Sequence, residues 1–93
     1  MKETESNIEG FLTKNIQKMN GLCLKFSTLF FSGMPDRVIL LPGGKVVFAE
    51  IKRPDKNTTE LQTKRKIQLE QLGFQSVILK STEDVLNFVK RLG

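Results

Sequence analysis

Apolar residues Ile8, Phe11, Leu12, Ile16 and Met19 recur at helical spacing and form one stripe. They predict a first helix, capped by Ser6 or Asn7, that runs to about Met19 and ends at Asn20-Gly21. Leu22-Cys23-Leu24-Lys25-Phe26 then alternates Leu/Leu/Phe against Cys/Lys, the period of a short strand, with Cys23 as a small buried apolar residue. Leu29-Phe30-Phe31 put three bulky apolar side chains into the next connection, where they are expected to plug the core. Arg37–Leu41 and Lys45–Lys52 read as two antiparallel strands joined by Pro42-Gly43-Gly44, a loop that ends on glycines able to take positive φ. After a turn-rich stretch from Arg53 to Thr58, Thr58 or Thr59 caps a helix that runs to about Leu72 and is ended by Gly73. Leu61, Arg65, Leu69 and Leu72 share roughly one of its faces. The near-continuous apolar run Phe74–Leu79 suits an inner strand covered on both faces. Ser81-Thr82-Glu83-Asp84 opens a last helix with a pattern resembling a capping box, and Val85, Leu86, Phe88, Val89 and Leu92 bury it. The order α-β-β-β-α-β-α predicts an α/β fold with a central mixed sheet flanked by helices, as one domain over residues 1–93.

The hairpin brings chemistry together. With Leu41 facing Lys45, stepping back along both strands puts Asp36 opposite Glu50, and directly opposed residues point to the same side of a sheet. Alternation sends Val46, Phe48 and Lys52 to that side as well. Two carboxylates and a lysine at one hairpin end suit metal-assisted hydrolysis of a phosphodiester. Asp36 and Glu50 are candidate ligands for Mg²⁺, a hard cation that takes one or two carboxylates and keeps several waters. Lys52 is placed to orient the attacking water or to offset transition-state charge. The same residues also describe an ordinary hairpin with an exposed Asp and a cross-strand Glu–Lys pair. A register slip of one residue would send Asp36 to the other face.

Composition narrows the chemistry further. The chain has no histidine and a single cysteine, Cys23, which excludes Ser/His and Cys/His triads, a disulfide framework and a CxxC zinc site. A net charge of +5 favours a polyanionic partner. The excess is uneven: residues 61–93 hold Lys64, Arg65, Lys66, Lys80, Lys90 and Arg91 against Glu70, Glu83 and Asp84. No apolar run is long enough to cross a membrane, and the acidic start, Met1 to Glu5, has no apolar signal segment, so a cytoplasmic location is expected.

Pro35-Asp36 followed by Glu50-Ile51-Lys52 is similar to the PD-(D/E)xK signature of the restriction-endonuclease-like nucleases. With Gly33-Met34-Pro35-Asp36-Arg37, Leu41-Pro42-Gly43-Gly44-Lys45, Phe48-Ala49-Glu50-Ile51-Lys52-Arg53-Pro54, Leu61-Gln62 and Leu72-Gly73-Phe74, the chain resembles the virus-type replication-repair nuclease (VRR-NUC) domain from about Glu5 to Phe88. The resemblance implies a restriction-endonuclease-like core and a Mg²⁺-dependent DNA endonuclease, with Mn²⁺ able to substitute. It implies Asp36, Glu50 and the Ile51 carbonyl as metal ligands, Lys52 acting on the nucleophile or transition state, and Gln62 beside the scissile phosphate or the metal's water. It also implies a third acidic residue on the first helix: Glu9 is the choice and Glu5 the alternative, although both also suit a helix N-terminus. Compact members resemble Holliday junction resolvases, which implies a homodimer acting on branched DNA, four-way junctions first. Leu29-Phe30-Phe31 departs from the family's more polar loop, and a dimer contact or a wedge at a DNA branch point are the alternatives to a core plug. Two other functional readings remain beside the nuclease: a non-catalytic module binding branched or single-stranded DNA, and an RNA-directed nuclease.

Overall fold

Thr4 starts the first helix, two residues before the expected cap. Its hydroxyl accepts from the Asn7 N–H at 3.1 Å, which leaves Ser6 and Asn7 inside the first turn of α1 (Glu5–Lys18). The chain then turns on Asn20 in the left-handed region, φ 62°, a conformation asparagine tolerates better than most side chains. The computed structural model describes residues 3–93; Met1 and Lys2, part of the acidic start, lie outside the described residues.

Strands β1 (Leu22–Lys25), β2 (Arg37–Leu41), β3 (Lys45–Ile51) and β4 (Gln75–Leu79) form one sheet in the order β1-β2-β3-β4. The first two pairings are antiparallel, and β3 pairs with β4 in parallel through α2 (Glu60–Gln71). Helix α3 (Thr82–Leu92) closes the chain, so the element order is the predicted one. Leu41 faces Lys45 as expected, with Gly43 and Gly44 both at positive φ in the connecting turn. Strand β4 is an edge strand, not an inner one. Its apolar run correctly signalled cover on both faces, by α2 on one side and α3 on the other, but cover does not fix a strand's place in the sheet order.

The core lies on one face of the sheet. Ile8, Leu12 and Ile16 of α1 and Val85 and Phe88 of α3 pack against Ile39, Leu41, Val47, Ala49, Ile51 and Leu79. Glu3 ties the two helices together, its carboxylate accepting from the Thr82 N–H at 3.0 and 3.2 Å. Cys23 packs half-buried against this core, and burial pushes its thiol up. Leu86, assigned to the buried face of the last helix by periodicity, is exposed. Among the described residues no helix is long and apolar enough to cross a membrane.

The β1–β2 connection overturns the core-plug reading of Leu29-Phe30-Phe31: Leu29 is 91 % exposed and Phe30 98 %. Only Phe31 docks, under the Arg65 guanidinium at 3.8 Å. The loop is pinned elsewhere. Phe26 N–H donates to the Asp36 carbonyl at 2.8 Å, and Arg65 Nε donates to the Ser32 carbonyl at 2.9 Å. Gly33 lies against the first turn of α2 at φ +87°, where an added Cβ would stand 2.6 Å from Leu61 Cγ. Gly33→Ala therefore meets both backbone strain and a clash. We expect it to cost roughly 1–3 kcal/mol in denaturant unfolding, whereas an alanine at Gly10, which has open space around it, stays close to wild type.

Candidate active site

Strand β2 begins at Arg37, opposite Ala49, and one further step of the same register sets Asp36 beside Glu50. Asp36 then extends the ladder with its side chain: Oδ1 accepts from the Ile51 N–H at 3.1 Å. The N–H and carbonyl of a strand residue point to the same edge, so the Ile51 carbonyl also faces the Asp36 side, while its side chain is buried in the core. Glu50 points to the opposite face and is 8 % exposed. Lys52 Nζ stands 3.9 Å from Glu50 Oε2.

Helix α2 supplies the fourth group. Thr59 caps it, with its hydroxyl accepting from Gln62 N–H at 3.1 Å, and Gln62 Oε1 returns the contact by accepting from Thr59 N–H at 2.9 Å. With its oxygen committed to the capping box, the Gln62 amide turns its Nε2 to Glu50 Oε2 at 3.3 Å. Gly33, Pro35, Thr58, Lys66, Ser76 and Ile78 complete a narrow cleft around Glu50 and Gln62. Sequence reading missed Ser76. It is the polar break in an apolar strand, and pairing with Phe48 puts it one row from Glu50.

Electrostatics set this site apart from an ordinary hairpin end. Burial raises the Asp36 carboxyl against the lowering effects of the Ile51 N–H and Arg37. Burial, then the neighbouring Asp36 charge, push Glu50 up to about 7 despite Lys52. Glu50 Oε1 is buried with no hydrogen-bond partner. Two crowded carboxylates with an orphaned oxygen fit a divalent cation, which would favour both charges at once. Among the described residues no group of three or more Asp, Glu, His or Cys side chains stands together, so the pair suits a hard ion that keeps most of its waters.

The structure thus brings Asp36, Glu50, Ile51, Lys52 and Gln62 together, and it places Glu9 elsewhere. Glu9 forms an ion pair with Arg37, whose side chain is buried beside Cys23 on the α1 face of the sheet. Glu5, one turn earlier on α1, is the helix acid whose charge is felt at both Asp36 and Glu50.

No family model matches the chain. A phage protein described as a candidate nuclease, p44 of Acyrthosiphon pisum secondary endosymbiont phage 1, is 35% identical over 79 residues, covering 85% of each chain. A solved VRR_NUC domain superposes with a TM-score of 0.90 at 21% identity, covering 96% of this chain and 97% of that one. The mixed sheet with its flanking helices is the restriction-endonuclease-like α/β fold. The chain thus has the fold of a VRR_NUC domain and belongs to the same family as the phage protein p44.

The raised Glu50 carboxyl carries a stability consequence. A carboxyl whose folded-state pKa lies above its unfolded value contributes stability that is present below about 4.5 and is lost as pH rises through about 7. In EDTA the melting temperature should therefore fall between pH 5 and pH 8. Glu50→Gln should flatten that profile and melt above wild type at pH 8, as read by calorimetry.

Proposed function

We propose that the chain is a Mg²⁺-dependent DNA endonuclease that acts as a homodimer on branched DNA, with four-way junctions as the preferred substrate and residues 1–93 forming one catalytic domain. The observation that carries this reading is Glu50, buried between Asp36, Lys52 and Gln62 with one oxygen left unpartnered.

Asp36 and Glu50 would hold the ion together with the Ile51 carbonyl, and Mn²⁺ would fit the same oxygens. When bound, the ion lowers the pKa of water and offsets charge on phosphoryl oxygens. The chain's own groups do the positioning. Lys52 Nζ, already drawn to Glu50, is placed to orient the attacking water and to offset charge that builds on the phosphate. Gln62, locked by its capping box, presents N–H donors at the same point and aims at the water or the scissile phosphate. Water attacks in line and the bond breaks with a single inversion at phosphorus, with no covalent intermediate. Glu9 serves through Arg37, holding that guanidinium under α1, from where its charge lowers the Asp36 carboxyl, and Glu5 is the helix acid whose charge reaches the pair. The net charge of +5 supports a polyanionic substrate.

The test is cleavage of a synthetic four-way junction beside a matched linear duplex and an RNA duplex, with Mg²⁺, Mn²⁺ or EDTA. Symmetric nicking of the DNA junction alone, abolished by EDTA, is the expected outcome. Tight binding of the junction with no cut under either metal would replace the nuclease with a binding module, and cleavage confined to RNA would replace the substrate.

Asp36→Asn should lower cleavage at least about a hundredfold while the fold and DNA binding persist. Lys52→Ala should reduce kcat more than metal affinity. Glu5→Gln should raise the metal concentration needed for half-maximal rate. Glu9→Gln should instead lower stability by releasing Arg37, which separates the two helix acids.

A further inference from the structure

Helices α1 and α3 cover one face of the sheet, and on the other face α2 packs on β4 and reaches β3 through Gln62 at Glu50. Register carries two apolar rows across the part that α2 leaves bare: Leu22 beside Leu40 beside Val46, and Leu24 beside Val38 beside Phe48. No charged side chain interrupts either row. Leu22 is 56 % exposed and Leu24 43 %. Phe26, Phe48 and Phe74 meet edge to face, at centroid distances of 5.8 and 5.5 Å, along the border towards the carboxylate pair. A sheet buries an apolar face against another layer, and the described elements hold no further layer to supply one.

The chemistry of the face selects its occupant. Rows without a cation give a phosphate backbone nothing to bind, so a nucleic acid is a poor match. A second flat apolar sheet face is a good match, packing at a separation of about 10 Å, and a second copy of this chain presents one. The surface is also large enough. At about 150–250 Å² for a fully exposed large side chain, these rows and the bare Leu29-Phe30 tip that continues from Phe26 offer on the order of 800 Å². That is the share one partner contributes to a stable interface. We propose that the open face of β1, β2 and β3 is the surface through which two copies of this chain pair about a twofold axis. The proposal rests on the homodimer reading above and adds the surface. In the next row the Phe26 N–H donates to the Asp36 carbonyl, so each candidate cluster borders the proposed interface.

Sedimentation equilibrium of the wild type, Leu24→Glu and Phe30→Asp tests it, with circular dichroism confirming that each variant is folded. A wild-type dimer whose dissociation constant rises roughly a thousandfold in Leu24→Glu is expected, because a buried contact is lost in both copies. A readout that needs no variant is leucine-methyl NMR of the wild type: Leu22, Leu24 and Leu40 should shift on dilution, and Leu12 in the opposite core should not. A dimer unchanged by Leu24→Glu, with those methyls unmoved, overturns the surface and leaves the homodimer standing. Dissociation by Phe30→Asp but not by Leu24→Glu also overturns it, moving the contact to the loop. A wild type that is monomeric throughout overturns both readings; if Leu24→Glu then weakens binding to a junction, the face belongs to DNA instead.

Discussion

The hydrogen bond from Ile51 N–H to the Asp36 carboxylate holds the site together. Strand β2 ends at Arg37 in regular pairing, and without this bond the Ile51 N–H would face the end of the ladder unpaired. Asp36 fills that position with a side chain. A charged acceptor makes the stronger kind of hydrogen bond, and here it also fixes where the carboxylate sits relative to Glu50. The ladder on the other side of β3 continues past the site, with Lys52 N–H donating to the Leu79 carbonyl at 3.0 Å. Strand β3 is therefore braced on both edges where its acid and its lysine emerge.

Around this point the chain balances attraction against burial. Two partly buried carboxylates repel, and the fold tolerates them because Lys52 and the Gln62 amide both reach Glu50 Oε2. The other oxygen is left unpaired, an arrangement that costs stability and that a bound cation would relieve. Gln62 shows how local and tertiary roles combine. One end of its amide closes the cap of α2, which orients the other end towards Glu50. Gly33 presses the β1–β2 loop onto the same helical turn, so the two segments that flank the cleft position each other.

The opposite face of the sheet has its own charge pair. Arg37 is buried under α1 with Glu9 as its partner, and its Nε has no acceptor. Arg37 faces α1 while the Asp36 carboxylate sits on the Ile51 N–H at the end of the ladder, and the guanidinium still lowers the Asp36 carboxyl. The α1 face thus provides the core and one buried cation, and the α2 face carries the candidate site. The apolar remainder of that second face is what makes a second copy a fitting layer.

Much of this was legible in the sequence because short-range rules govern it. Hydrophobic period placed the helices and strands, and the glycines of Pro42-Gly43-Gly44 set the hairpin register. From that register alone Asp36, Glu50 and Lys52 fall on one site, since a sheet's side-chain period is two. Thr59, one of the two expected caps, carries α2. What escaped depends on distances between segments far apart in the chain. Helical spacing permits either Glu5 or Glu9 to face the site, and only the docking angle of α1 gives Glu9 to Arg37. An apolar run shows that β4 is covered but says nothing of its place at the edge. Leu29 and Phe30 look like core by composition, yet the loop that carries them is pinned at Phe26, Ser32 and Gly33, which leaves its tip outside. Sequence by itself determined which residues can meet along one hairpin; tertiary packing decided which faces remain open, because covering a face depends on where the other elements dock.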